Sequence, residues 1–189
     1  EISDRIVYQS NWANEYIGDW RGKDGEVILN GADPEIFNNV GRIKREFKTF
    51  LYSRYNRDEN KRWEKAWWDF QMEWRKDKNI ELWIIGNFSS ENIEYNFDFF
   101  NGERFEFKGI VSLKEMANIY KQTDVLFLPY FNDACSNTLI EARLCGIPEI
   151  KWDDSGGNRE IMEALIEKLT INYMGQQYLR AFEEILNDK

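Results

Sequence analysis

Two carboxylates, Asp133 and Glu141, have seven residues between them and flank a predicted turn into a helix. The four residues that begin this helix are Ser136, Asn137, Thr138 and Leu139. Unpaired backbone N–H groups and the positive end of a helix dipole attract a phosphate, and carboxylates accept hydrogen bonds from hydroxyl groups. This segment is therefore a candidate binding site for a phosphorylated sugar.

The same residue types also have purely structural roles. Ser and Asn are favoured at helix N-caps whether or not a ligand is present. Glu141 could pair with Arg143 or Lys151 on the surface, and Asp133 could simply cap the next turn. The sequence alone leaves these alternatives open.

Strand-like and helix-like runs alternate along the chain, which is typical of a parallel sheet with helices on both faces. This alternation predicts an α/β, Rossmann-like fold. A length of 189 residues favours one domain over residues 1–189. The predicted strands cover residues 5–8, 26–29, 49–53, 81–85, 105–108, 125–128 and 149–151. The predicted helices cover residues 60–75, 113–122, 137–145, 159–168 and 175–186.

One predicted helix carries an aromatic stripe. Its large rings recur every three or four residues and therefore share one helix face. They belong to Trp63, Trp67, Phe70 and Trp74. We expect this face to pack on the sheet, and a platform for bases or sugars is the less favoured alternative. Trp68 lies off the stripe and is expected to be partly exposed.

Composition excludes several classes of function. A formal net charge of -9 argues against nucleic-acid binding, which depends on clustered Lys and Arg. The chain contains no histidine, so Ser-His-Asp and Cys-His mechanisms are excluded. Cys135 and Cys145 form no disulfide framework, which favours reduced thiols and a cytoplasmic location. No apolar run is long enough to span a membrane, and no cleavable signal opens the chain.

Several segments occur in an order that resembles a known family. They are VYQSNW, VILNGADPEIF, FLYSRYNRDENKRWEKAW, WIIGN and FKGIVSLKEMANIYKQTDVLFLPY, followed by the Asp133-to-Glu141 spacing and SGGNRE. Together they resemble the C-terminal, nucleotide-sugar-binding half of GT-B glycosyltransferases, most closely the retaining family 4. The Gly-x-Gly-x-x-Gly fingerprint is absent, which argues against an NAD or FAD site.

The resemblance implies roles for the two acids and for a glycine loop. Glu141 would hold the ribose hydroxyls of a nucleotide, since a carboxylate can accept from two neighbouring hydroxyls. Asp133 stands where the family usually has a Glu that holds hydroxyls of the transferred sugar, and its arm is one methylene shorter. Gly156 and Gly157 would form the loop near that sugar, with Glu160 at the start of the next helix.

The resemblance also implies sites for the diphosphate and the base. The cations that would neutralise the diphosphate are Arg54, Arg57 and Lys61. Lys61 comes two residues later than the family spacing, so Arg57 is a candidate substitute, and a solvated charge run is the structural alternative. The residues expected at the base and along the same crevice are Gly109, Ile110, Val111, Gly86 and Asn87.

The function implied by the resemblance is the donor-binding half of a retaining glycosyltransferase for polysaccharide or glycoconjugate biosynthesis. The donor would be a UDP- or GDP-linked sugar, with no metal or other cofactor required. Residues 1–45 resemble the interdomain linker and first strand, whereas no N-terminal acceptor domain is recognisable. The chain alone is therefore expected to bind donor and transfer little or nothing, and peripheral membrane association concerns the full protein only.

Two features depart from the family, and two alternative functions stay open. The stretch from Pro148 to Gly156 is one residue longer than usual, and the hydrophobic, Gly-rich strand expected after Glu160 is hard to find. The first alternative is a sugar-nucleotide epimerase, although its expected catalytic His and acids are not visible. The second is a non-catalytic nucleotide-sugar-binding or oligomerisation module.

Overall fold

The computed structural model describes residues 5–55, 58–87 and 104–187. Its strands are β1 (Val7–Tyr8), β2 (Glu26–Val27), β3 (Lys48–Tyr55), β4 (Ile80–Gly86), β5 (Arg104–Gly109), β6 (Val125–Leu128) and β7 (Glu149–Trp152). Its α-helices are α1 (Asn11–Arg21), α2 (Trp63–Lys76), α3 (Leu113–Tyr120), α4 (Asn137–Leu144), α5 (Asn158–Glu163) and α6 (Ile171–Asn187). Two short 3₁₀ helices cover Glu59–Lys61 and Ile166–Leu169.

The chain divides into two compact units. The first holds the residues up to Asn38, together with Asn132–Leu144 and the residues from Asp154 onward. The second holds Asn39–Phe131 and Cys145–Asp153. The expectation of one domain over residues 1–189 stays a prediction.

The second unit is built on a five-stranded parallel sheet with the strand order β5-β4-β3-β6-β7. The predicted α/β class with a Rossmann-like parallel sheet is confirmed. Strands β4 and β6 are almost continuously apolar, and β3 has an apolar run at residues 50–52; Leu51, Leu82 and Leu126 are each fully buried. Runs of this kind form strands covered on both faces, which explains why the alternation of elements identified the fold.

The aromatic stripe of α2 packs as predicted. The Phe70 ring lies 5.8 Å from the Phe50 ring of β3, and the Trp63 ring lies 5.1 Å from that of Tyr52. Trp68, off the stripe, is 62% exposed. Trp63 and Phe70 are therefore part of the core of the second unit, whereas Trp67 and Trp74 are half-buried.

Arg42 holds together three turns of the second unit. Its Nη1 donates to the carbonyls of Tyr120 at 3.1 Å and Cys145 at 3.2 Å, and its Nη2 donates to Thr123 at 2.6 Å. Carbonyls at the ends of helices lack intrahelical partners, so a planar guanidinium can satisfy several at once.

We expect Arg42→Lys to lower the free energy of unfolding by about 1–2 kcal/mol. An ammonium keeps the charge but lacks the planar fork that reaches several carbonyls, and a lost hydrogen bond to a charged group costs on this scale. Urea unfolding of the variant measures the loss. Arg75→Lys, at an exposed position in the last turn of α2, is the control and should be near neutral. Equal effects of the two substitutions would contradict this role for Arg42.

The first unit contains a helix that the sequence did not predict. Strands β1 and β2 pair in parallel, and α1 lies between them in the chain, within the segment predicted as linker-like. Ser10 caps α1 by accepting from the Ala13 amide at 3.0 Å, and Gly22 ends the helix with φ 65°. The mixed polar and aromatic sequence of α1 has no clear apolar period. The two capping residues are therefore the only sequence features that indicate this helix.

The helical prediction for residues 159–168 is wrong in its second half, and that for residues 175–186 begins too late. Helix α5 ends at Glu163 because Ala164 is extended, with φ -63° and ψ 146°. Arg143 donates to the carbonyls of Ile161 and Ala164 and so satisfies the end of α5. After Glu160, where the resemblance implied a further strand, the described chain forms an isolated bridge between Ala32 and Thr170. Helix α6 then begins at Ile171.

Candidate functional site

In the first unit, the loop that carries Asp133 is clasped by the glycine loop. The Gly157 amide donates to the Asp133 carbonyl at 2.9 Å, and the Asn132 amide donates to Ser155 Oγ at 2.9 Å. The structure therefore brings Asp133, Gly156 and Gly157 together, although Gly156 and Gly157 lie more than twenty positions later in the chain.

At both glycines the backbone lies so close to neighbouring residues that a side chain would not fit. Gly156 has φ 65°, and a Cβ there would lie 2.8 Å from the Asp133 nitrogen and collide with the Asp133 carbonyl oxygen. A Cβ on Gly157 would lie 2.8 Å from the Ser10 Cβ and collide with the Ala134 carbonyl oxygen. The position of Asp133 thus depends on two residues without side chains.

The start of α4 has the geometry of an anion site. The amides of Leu139 and Ile140 donate to the Ser136 carbonyl, each at 3.1 Å, and close the first turn. Within the described ranges, this leaves the amides of Asn137 and Thr138 as unsatisfied donors of the helix. Of the four predicted amides, that of Leu139 is therefore already engaged inside the helix.

The side chains at this helix start differ in their burial. Ser136 is 2% exposed, and its Oγ is a buried hydroxyl without a hydrogen-bond partner in the described part of the chain. Thr138 and Leu139 are buried, whereas Asn137 is exposed and its Oδ1 accepts from Asn30 Nδ2 at 3.0 Å. A buried hydroxyl is costly unless water or a ligand atom satisfies it, so Ser136 Oγ is a candidate hydrogen-bonding group beside the two unsatisfied amides.

Glu141 lies half-buried on α4, one turn beyond these amides. The two cations considered as its structural partners have other contacts. Arg143 donates to the carbonyls of Ile161 and Ala164, and Lys151 Nζ lies 2.8 Å from Glu73 Oε1. Both cations therefore have defined contacts with groups other than Glu141.

The nearby cysteine is not a nucleophile. Cys135 is buried, and its Sγ accepts from the Asn30 amide at 3.4 Å. Burial raises the pKa of the Cys135 thiol to about 11, so this thiol is protonated at neutral pH.

In the second unit, Arg54, Gly86 and Asn87 meet at the carboxyl ends of β3 and β4. The register between these strands shifts after Tyr52, and Arg54 adopts φ 60°, which is uncommon for a residue other than glycine. The Asn87 amide donates to the Tyr55 carbonyl at 3.0 Å, and Gly86, with φ 147°, packs against the same backbone. Such bulges and strained residues are enriched beside functional sites.

The base-binding residues predicted from the sequence follow β5, which pairs with β4. Gly109 has φ 68° with open space around it, Ile110 is 82% exposed and Val111 is half-buried. The carboxyl ends of neighbouring strands in an open α/β sheet are where ligands bind. The sheet thus places Gly109 at the same edge as Arg54 and Gly86.

The predicted cations have different settings. Lys61 is half-buried, and its Nζ lies 4.3 Å from the centroid of the Tyr130 ring. Arg57 lies outside the described residues. Arg62, which the sequence did not single out, has φ 49°; its Nη1 contacts Asp153 Oδ2 at 2.8 Å, and its guanidinium lies over the Phe131 ring. Arg62 lies within a run of charged residues, so the sequence does not indicate that its side chain makes these contacts.

The described residues carry neither a metal cluster nor a membrane-spanning helix. Over residues 5–55, 58–87 and 104–187, no group of three or more His, Cys, Asp or Glu side chains could hold a metal ion. None of the helices in this part of the chain is both long enough and apolar enough to cross a membrane.

Comparison with solved structures identifies the fold. Sucrose-phosphate synthase from Thermosynechococcus elongatus superposes with a TM-score of 0.76 at 15% identity, over 100% of this chain and 60% of that one. HepE from Anabaena, solved with UDP and glucose, gives 0.64 at 15% identity, over 86% of this chain and 47% of that one. The pneumococcal O-GlcNAc transferase GtfA, solved with UDP and GlcNAc, superposes with a TM-score of 0.63 at 16% identity. The match covers 93% of this chain and 38% of that one.

Comparison of sequences identifies the family. A search of curated protein sequences found no significant match. The family model described as glycosyl transferases group 1 matches residues 50–188, which is most of the chain. The chain belongs to the group 1 glycosyltransferases, and its fold fits the C-terminal domain of a GT-B enzyme.

Proposed function

We propose that this chain is the donor-binding half of a retaining glycosyltransferase that uses a nucleoside-diphosphate sugar without a metal ion. The observation that carries the proposal is the geometry at the start of α4. There the buried Ser136 hydroxyl and the amides of Asn137 and Thr138 can donate hydrogen bonds to an anion. Membership of the glycosyltransferase family supports a donor phosphate as that anion.

The first unit supplies the groups for the distal phosphate, the ribose and the sugar. The phosphate accepts hydrogen bonds from the α4 amides and is favoured by the helix dipole. Glu141, one turn further along α4, accepts from the two ribose hydroxyls. Asp133, fixed by the Gly157 amide, accepts from hydroxyls of the transferred sugar.

The family resemblance assigns the diphosphate and the base to residues that belong to the second unit. Arg54, Arg57 and Lys61 neutralise the diphosphate as it departs. Gly109, Ile110 and Val111 bind the base largely through main-chain groups, with Gly86 and Asn87 beside them. The UDP in the HepE and GtfA structures favours a UDP-linked donor over a GDP-linked one.

The chemistry that these residues support is stabilisation of a leaving group. Fixed cations and helix amides lower the energy of the departing nucleoside diphosphate, while the acceptor attacks the same face of the sugar. No histidine is available in the sequence, and the Cys135 thiol is held protonated by burial. This mechanism requires neither of those groups.

The chain spans 60% or less of the three structures compared above. We therefore propose that an N-terminal acceptor-binding domain completes the enzyme, and that this chain alone binds donor with little or no transfer. The full enzyme would act in the cytoplasm, and peripheral membrane association would concern the full protein only.

A thermal-shift panel tests the proposal. We expect UDP and UDP-sugars to raise the melting temperature in the presence of EDTA, because a ligand bound only by the folded state stabilises it. Ligand at 100 times its Kd adds about 2.7 kcal/mol, or roughly 5–10 °C for a chain of this size. NADH serves as the control ligand and should have no effect. No shift with any nucleoside diphosphate at millimolar concentration would overturn the proposal.

A further inference from the structure

Glu160 makes a contact that its sequence position does not suggest. Its Oε2 accepts from the Asn11 amide at 2.8 Å and from Asn11 Nδ2 at 2.7 Å. Its Oε1 accepts from the Trp12 amide at 3.0 Å. Three N–H groups at the start of α1 therefore converge on one carboxylate from α5, about 150 positions later in the chain.

This carboxylate completes the N-terminus of α1. Ser10 satisfies the Ala13 amide, and Glu160 satisfies the two amides before it. A negative charge at this end of the helix also interacts favourably with the helix dipole. Helix α1 and the first turn of α5 are thus joined by directed, charge-assisted hydrogen bonds.

The same junction continues into the loop of Asp133. Ser10, the cap of α1, is fully buried, and Gly157 lies so close to it that an added Cβ would come within 2.8 Å. The Gly157 amide donates to the Asp133 carbonyl at 2.9 Å. An unbroken series of contacts therefore runs from α1 through Glu160 and Gly157 to Asp133.

We propose that Glu160 is a positioning residue, which fixes the glycine loop and Asp133 by anchoring α5 to the N-terminus of α1. Both carboxylate oxygens already accept from the N–H groups of α1, so Glu160 acts without contacting the donor. The inference rests on the proposed function, because it concerns the loop assigned to the donor sugar. Loss of Glu160 should therefore loosen the sugar end of the site and leave nucleotide binding at α4 intact.

Amide exchange measured by NMR on the whole chain tests this role. In Glu160→Ala, we expect exchange of the Gly157 amide to become about tenfold faster, because local opening of the loop costs less free energy. The dissociation constant for UDP should stay within about twofold of the wild-type value, which corresponds to a small free-energy change. Glu163→Ala, an exposed position on the same helix, is the control and should change neither quantity.

The possible results separate the inference from the proposed function. Unchanged exchange at Gly157 in Glu160→Ala, with UDP still bound, overturns the positioning role alone. Absence of UDP binding by the wild type overturns the proposed function, whatever the exchange rates. If Glu160→Ala does not fold, Glu160→Gln replaces it, because the amide keeps the side-chain length but loses one of the two acceptor oxygens and the negative charge that hold α1. An unchanged Gly157 exchange rate in that variant likewise overturns the inference.

Discussion

Replacing Gly156 with alanine should lower the free energy of unfolding by about 2–5 kcal/mol. The left-handed backbone costs a residue with a Cβ about 1–2 kcal/mol, and forcing extra volume into a packed site adds about 1–3 kcal/mol. The new Cβ would meet the backbone of Asp133, which cannot move aside without displacing the Asp133 side chain. Urea unfolding and UDP-sugar titration of the same variant measure both effects.

Gly22 offers a matched control for this substitution. It has φ 65°, the same value as Gly156, but has no neighbouring atom within 4 Å of an added Cβ. Gly22→Ala should therefore cost only the backbone strain, about 1–2 kcal/mol, and leave ligand binding unchanged. Equal losses of stability and of donor affinity in the two variants would contradict the clasp between the glycine loop and Asp133.

Replacing Glu141 with alanine should weaken UDP binding by about 1–3 kcal/mol, or roughly 5- to 150-fold. This is the scale of hydrogen bonds to a charged group, and the ribose hydroxyls would lose their acceptor. Isothermal titration in EDTA measures the change. Glu183→Ala, which removes an exposed carboxylate from α6, is the control and should leave the affinity unaltered.

The sheet of the second unit could be predicted because local and global signals agree. Strands β4 and β6 and residues 50–52 of β3 are short apolar runs, and the aromatic stripe of α2 has a clear helical period. Helix α1 lacked such a period because its sequence mixes Trp, Tyr, Asn and Asp. The break after α5 was also hidden, since Arg143 satisfies the carbonyls there from another helix.

The candidate site shows the same limit. Asp133, the start of α4 and Glu141 are contiguous in the sequence, so their grouping followed from one turn and one helix. The buried Ser136 hydroxyl could not be foreseen, because its burial depends on packing. The anchor at Glu160 was equally invisible, since its partners at Asn11 and Trp12 lie at the opposite end of the chain.

The central claim is that a nucleoside diphosphate binds at the start of α4. An NMR titration of the isotopically labelled chain with UDP in EDTA tests it most directly. We predict saturable shifts of the Ser136, Asn137 and Thr138 amides, requiring about 5- to 150-fold more UDP in Glu141→Ala. Shifts confined to other parts of the chain, no shifts at millimolar UDP, or the same saturation in both proteins would contradict the claim.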